Sequence, residues 1–250
     1  MTRGGLQVIT VENEAAVYAC AQQLFAGLFE LPDTPYLVLL SGGSSLRILS
    51  APWGTISAEY CTLGVLDERW SADPAVSNWQ QIIATPWHRS AVANGAKNLS
   101  FPIPGELSLE QATKQYEQTL RSWRAAHPTG KIIITLGLGA DGHTAGILPL
   151  PGNPEQFKRQ FADDTCWVAG HRALNAPACV ERVTVTVPFL LTQVVAGVAV
   201  VVGAAKEGAM HALLAPTGNL AATPGRVMLK MPQVLLVTDQ TIETESDCCL

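Results

Sequence analysis

"KIIITLGLGADGHTAGILPLPG", residues 131–152, decides how this chain is read. It opens with an apolar run rich in β-branched side chains, the pattern of a buried strand. The turn behind that run spells Gly137-x-Gly139-x-x-Gly142, the form of a dinucleotide-binding fingerprint. Such a fingerprint requires a long helix directly after the loop, with its N-terminus on the pyrophosphate. Here Pro149, Pro151, Gly152 and Pro154 follow at once, and a long helix cannot run through that cluster. The stretch therefore reads as strand and loop, and a nicotinamide cofactor is not expected. It also contains Asp141-Gly142-His143, which a nucleotide loop does not need. An imidazole at a strand end can take a proton from water near neutral pH, which makes His143 a candidate base. Asp141 is placed to orient it or to bind substrate hydroxyls. The plainer alternatives are a solvated histidine and an aspartate that satisfies backbone amides in the turn.

Outward from this loop, further strand-like runs occupy 6–11, 36–41, 61–67, 166–170, 182–187, 197–203 and 233–239. Several are continuously apolar rather than alternating, as expected of strands covered on both faces. Helical patterns lie between them at 12–30, at 108–126 behind a Ser108 cap, and at 204–216 up to Pro216. This order predicts an α/β fold: one domain over 1–240 with a mainly parallel, twisted, Rossmann-like sheet and helices on both faces. Residues 241–250 read as a polar tail.

Composition bounds the function. With 48% hydrophobic residues in 250, the chain has material for a sizeable core. A formal net charge of -5 argues against a general nucleic-acid binder, which phosphate backbones would reward for being basic. Cys20, Cys61, Cys166, Cys179, Cys248 and Cys249 show no paired-motif spacing, so reduced thiols and a cytoplasmic location are expected. The N-terminus lacks the apolar core of a signal peptide. The longest apolar run, 194–203, is well short of the roughly 20 residues that cross a bilayer. No membrane contact is expected.

In parallel sheets, ligands gather at the carboxyl ends of strands. Besides 137–144, two polar turns are expected there: "SGGSS" (41–45) and "DERW" (67–70). The first offers small residues and open amides to phosphate oxygens. It is not a nucleophile elbow, because Leu46 stands where that motif requires glycine. In the second, Arg69 can grip phosphate bidentately; a solvent-facing ion-pair cluster is the bland alternative. His88, His127, His143, His171 and His211 show no metal-ligand spacing.

Together these loops resemble the 6-phosphogluconolactonase family, whose fold is shared with glucosamine-6-phosphate deaminases. "LSGGSS" is similar to the family's LSGGST phosphate loop, and "DERWSADPAVSN" to its DERxVPxxxxxSN segment, including Asn78. "FPIP" (101–104) resembles the strand before its central helix. "GLGADGHTAGILP" is close to GxGxDGHTASLFP, the most specific match. "ERVTVTVPFLL" and "GAAKEGAM" resemble its RxTLTxPxL segment and GxxK helix start. Ser45-Leu46 departs from Thr-Pro, Gly146 from serine, and "VTDQTI" from an alanine after the aspartate.

The resemblance implies hydrolysis of 6-phospho-D-glucono-1,5-lactone in the oxidative pentose phosphate pathway, with neither metal nor cofactor. It implies His143 as the base for water, with Asp141 orienting it, and Asp67 either binding sugar hydroxyls or assisting proton transfer. Gly42, Gly43 and Ser44 would cradle the phosphate, with Arg69, Lys206 and Arg172 as cationic contacts and Arg182 either joining them or bracing the sheet. The deaminase branch carries a glutamate five residues after the shared histidine, where this chain has Leu148. A sugar-phosphate sensor on the same fold is the non-enzymatic alternative, but no basic helix-turn-helix segment is evident.

Overall fold

The computed structural model describes residues 1–52, 54, 58–173 and 181–242. Cys179, Cys248, Cys249 and the expected tail from residue 243 lie outside them.

Strands β1 (Thr2–Arg3), β2 (Leu6–Thr10), β3 (Tyr36–Leu40) and β4 (Cys61–Val65) open the chain, with helix α1 (Glu14–Gly27) between β2 and β3. Strand β5 (Asp67–Arg69) leads to α2 (Asn78–Ile83), α3 (Pro86–Ala93) and β6 (Lys97–Asn98). Then come α4 (Leu109–Ala126), β7 (Lys131–Gly137), α5 (Pro154–Phe161), β8 (Val168–Arg172) and β9 (Glu181–Val185). Helix α6 (Val187–Thr192), β10 (Val194–Val201), α7 (Glu207–Leu214) and β11 (Val234–Thr238) complete the described strands and α-helices.

Eight strands form one sheet in the order β1-β2-β11-β10-β7-β3-β4-β6. Only the β1–β2 pair in it is antiparallel. The expected mainly parallel sheet is therefore present. All five residues of β3 and of β11 are buried, which requires cover on both faces. Helix α1 packs Val17, Tyr18, Ala21 and Phe25 inward and touches β10 and β11. Helix α4 starts at a reciprocal cap between Ser108 and Gln111, so the Ser108 boundary holds.

Four expectations need correction. The run 61–67 is not one strand, and "DERW" is not a loop. The chain divides at Leu66, whose amide donates to Leu40 O at 2.8 Å and whose carbonyl accepts from Val185 N at 3.3 Å. Beyond it, β5 joins a second, antiparallel sheet in the order β5-β9-β8. "FPIP" is not a strand either: two prolines remove two ladder donors, and only a Pro104–Leu107 bridge forms there. Finally, the segment after "SGG" is a 3-10 helix, Gly43–Leu49.

Strands β3 and β7 are neighbours. From β3 the chain steps to β4 on one side, while β10 lies on the other side of β7. That reversal is a topological switch point, where the loops leaving the carboxyl edge part and open a crevice.

Candidate active site

The loops after β3, β7 and β10 meet β5 and β9 around a cavity of about 330 Å³ at this crevice. Its wall includes Gly42, Gly43, Ser44, Asp67, Arg69, His143, Arg182 and Lys206. Asp141 touches it through His143, with Nδ1 of the imidazole 2.5 Å from Asp141 Oδ1. The same oxygen accepts from the His143 amide at 3.1 Å. The hydrogen bond from His143 holds the Asp141 carboxyl below its ordinary value, against a smaller opposing effect of burial. With Nδ1 occupied by a carboxylate, Nε2 is the nitrogen left to accept a proton. Both side chains are about half exposed, at 43% for His143 and 52% for Asp141, so solvent weakens the pair.

Gly139 is what lets this pair form. A Cβ there would stand 2.1 Å from His143 Nδ1 and 2.6 Å from Asp141 Oδ1. The loop is also clasped from outside: Gly225 N donates to Gly142 O at 2.9 Å, and Leu150 N to Ala221 O at 2.7 Å.

Beyond His143, Ala145 and Gly146 both have left-handed backbones, with φ of 49° and 68°. For alanine this conformation is strained and persists only if the surroundings hold it. The small sheet does so. Thr184 Oγ1 donates to Ala145 O, and His171 Nε2 donates to Gly146 O at 3.0 Å. His171 is buried, and desolvation pushes its pKa down to about 4. It is a neutral donor at ordinary pH.

Along β5 the side chains alternate. Asp67 and Arg69 face the cavity. Glu68 turns to α2, where it accepts from the amides of Asn78 at 2.7 Å and Trp79 at 2.9 Å and from Ser77 Oγ at 2.9 Å. Burial raises the Glu68 carboxyl above its ordinary value, and these donors oppose the shift. Asp67 accepts from Ser41 Oγ at 3.0 Å and from Asn78 Nδ2 at 3.3 Å.

Arg69 and Arg182 are register partners across the β5–β9 ladder. Like charges directly opposite destabilise a sheet pair unless an anion sits between them. The Arg182 Nε atom is buried without a hydrogen-bond partner. Lys206, just before α7, reaches Ser44 Oγ at 3.2 Å, and burial lowers its pKa. Among the described residues, none of these three cations forms an ion pair with a carboxylate. The wall thus carries three cations against Asp67, a field that favours an anion.

The structure does not place Arg172 in this wall. It pairs with Glu181 at 2.8 Å and is 69% exposed. Nor does a helix begin at the His143 loop; the nearest following one is α5, with Pro154 in its first turn. Residues without an assigned role from sequence also matter here: Asn78, Ser41, Gly139, His171 and Thr184. Asn78 was at least legible inside the "SN" motif. The others depend on which strands pair, and no local pattern carries that. A larger cleft, about 630 Å³, lies beside Met1, Arg3, His211 and Ile242 and contains none of the site loops. Among the described residues no group of three or more His, Cys, Asp or Glu is placed to hold a metal ion. No described helix is long and apolar enough to cross a membrane.

The sequence model for glucosamine-6-phosphate isomerases/6-phosphogluconolactonase matches residues 12–236. Curated protein sequences give no match. Among solved structures, the chain is similar to 6-phosphogluconolactonase from Plasmodium vivax, with a TM-score of 0.73, 14% identity and coverage of 95% of this chain and 92% of that one. It is also similar to the Thermotoga maritima 6-phosphogluconolactonase, at 0.70, 19% identity and coverage of 93% and 99%. The Shewanella baltica enzyme of that name gives 0.68, 20% identity and coverage of 94% and 97%. At these identities the likeness is one of fold.

Proposed function

Because the chain belongs to the glucosamine-6-phosphate isomerase/6-phosphogluconolactonase family, we propose that it hydrolyses 6-phospho-D-glucono-1,5-lactone to 6-phospho-D-gluconate. This is a step of the oxidative pentose phosphate pathway. The observation that carries the reading is one cavity holding both a carboxylate-oriented histidine and three cations without carboxylate partners among the described residues. The names of the structural neighbours support the same substrate.

In this reading the phosphate lies among Arg69, Arg182, Lys206 and the Gly42–Ser44 loop. His143 Nε2 takes a proton from water as its oxygen attacks the lactone carbonyl carbon. Asp141 holds the imidazole in the tautomer that leaves Nε2 free and stabilises the imidazolium that forms. The tetrahedral intermediate collapses by breaking the bond from that carbon to the ring oxygen. The departing ring oxygen takes the proton back from Nε2, so the base is restored and one water is consumed. Asp67 accepts from substrate hydroxyls. Base, cations and acceptor are all side chains, so the scheme requires no metal. The cysteines show no paired-motif spacing, which favours a cytoplasmic setting.

The deaminase or isomerase reading fits less well. Leu148 lines the cavity where that branch has its glutamate, and leucine cannot share acid–base work with the histidine. The discriminating experiment presents purified protein with freshly generated 6-phosphogluconolactone, against its spontaneous hydrolysis, and separately with glucosamine 6-phosphate. Lactone hydrolysis above background without ammonia release is expected. Ammonia release at a comparable rate, or no acceleration of lactone hydrolysis, overturns the assignment.

A further inference from the structure

Asn78, the first residue of α2, holds two neighbouring carboxylates by two different parts of itself. Its backbone amide donates to Glu68 Oε1 at 2.7 Å. Its side-chain Nδ2 donates to the Asp67 carbonyl at 2.8 Å and to Asp67 Oδ2 at 3.3 Å. The other carboxylate oxygen of Asp67 accepts from Ser41 Oγ at 3.0 Å. Each oxygen is thus tied once to the wall, and the lone pairs that remain are available to the cavity.

The other end of the carboxamide shows what this arrangement costs. Asn78 is 1% exposed, and its Oδ1 is buried without a partner. A Cβ on Gly42 would stand 2.0 Å from that oxygen, so the group is wedged between the phosphate-loop backbone and Asp67. Rotating it by half a turn would set Oδ1 against two Asp67 oxygens and lose both donor contacts. Only one orientation survives, and it leaves an acceptor unsatisfied, a defect with a free-energy cost. Native structures tolerate such a group where it serves a site.

We propose that Asn78 is a positioning residue for the reaction: it fixes the Asp67 carboxylate as an acceptor aimed at the hydroxyls of the sugar lactone. This rests on the lactonase reading above. Several charged or titratable groups surround the pair. Glu68 and Arg69 lie on β5, Arg182 lies opposite on β9, and the Tyr116 hydroxyl of α4 feels both carboxylates. Lys206 and His143 complete the cavity wall.

Asn78→Ala and Asn78→Asp test this against wild type, with 6-phosphogluconolactone as substrate across about pH 6 to about pH 8. Removing the donor in Asn78→Ala lowers kcat/KM about tenfold or more, by the same factor at every pH. In Asn78→Asp two carboxylates share the site, so one of them keeps its proton to unusually high pH. While protonated, the introduced carboxyl donates to Asp67 as the amide did. The ratio of its kcat/KM to wild type therefore falls as pH rises. A merely structural role predicts losses that follow thermal stability in both variants, with no change in profile shape. The thermal midpoint of Asn78→Asp, relative to that of Asn78→Ala, reads the same pair without turnover and rises as pH falls. A pH-independent activity ratio for Asn78→Asp, or unchanged kcat/KM in Asn78→Ala, overturns the inference. Wild-type protein that does not hydrolyse the lactone overturns instead the reading on which it rests.

Discussion

In the large sheet, β3 and β11 are fully buried and carry no charge. In the small sheet, three strands carry Asp67, Glu68, Arg69, His171, Arg172, Glu181 and Arg182. The large sheet is held by apolar burial and delivers its loops to the crevice. The small one is built around polar groups, most of which face the cavity, a helix end or the His143 loop. Stability and chemistry are therefore separable to a useful degree: substitutions in the first should cost folding, and substitutions around the second should cost turnover.

The sharpest separation comes at His143, which sits on a large-sheet loop but is braced by the small sheet. His143→Ala should lower kcat by roughly 10²–10⁴-fold while the thermal midpoint stays near wild type. Turnover close to wild type in a folded variant would remove His143 from the mechanism. At the other pole, Leu39→Ala in β3 deletes a side chain that is fully buried. It should cost about 2–5 kcal/mol in denaturant unfolding, with kcat of the folded fraction preserved. A fall in kcat without loss of stability would break the division.

His171 joins the two effects. Its native form is held to about 4, whereas the unfolded chain protonates near ~6.5. Below the unfolded value the denatured state takes up a proton that the native state refuses. This contribution to stability is therefore complete above about pH 6.5 and lost as pH falls toward 4, for at most about 3 kcal/mol. His171→Gln, which keeps a donor for Gly146 O, should flatten that part of the stability–pH curve. An unchanged acid limb would show that other groups set it.

Lys206→Ala should weaken the phosphorylated lactone by about 1.5–3 kcal/mol more than its unphosphorylated analogue. Equal losses on both would assign Lys206 to something other than the anion. Smallest of all is Arg172→Ala: its exposed pair with Glu181 is worth about 0–1 kcal/mol, and KM should not move.

The same contrast explains what could be read in advance. Continuous apolar runs announce β3, β7, β10 and β11, because burial on both faces leaves a signal in every residue. Charged strands do not: "DER" looks like a loop until its pairing with β9 is known. The His143 loop was legible because glycines and prolines dictate local backbone. The ties from Thr184 and His171 were not, since they cross 39 and 25 residues of sequence. Arg172 carried the right charge, but its position along β8 does not bring it to the cavity wall.

One consequence lies in the order in which a ribosome supplies the parts. Strand β2 is made long before β11 (Val234–Thr238), yet in the finished sheet the two are parallel neighbours. Until β11 emerges, β10 has an open edge and Leu6 and Val8 have no parallel strand beside them. A nascent chain can assemble β3, β4, β7 and β10 beforehand, but not this closure, which joins residues from opposite ends of the described chain. Stalled synthesis or a stop before Val234 should thus yield a protein with an exposed strand edge, a form that chaperones hold and that pairs with its own copies.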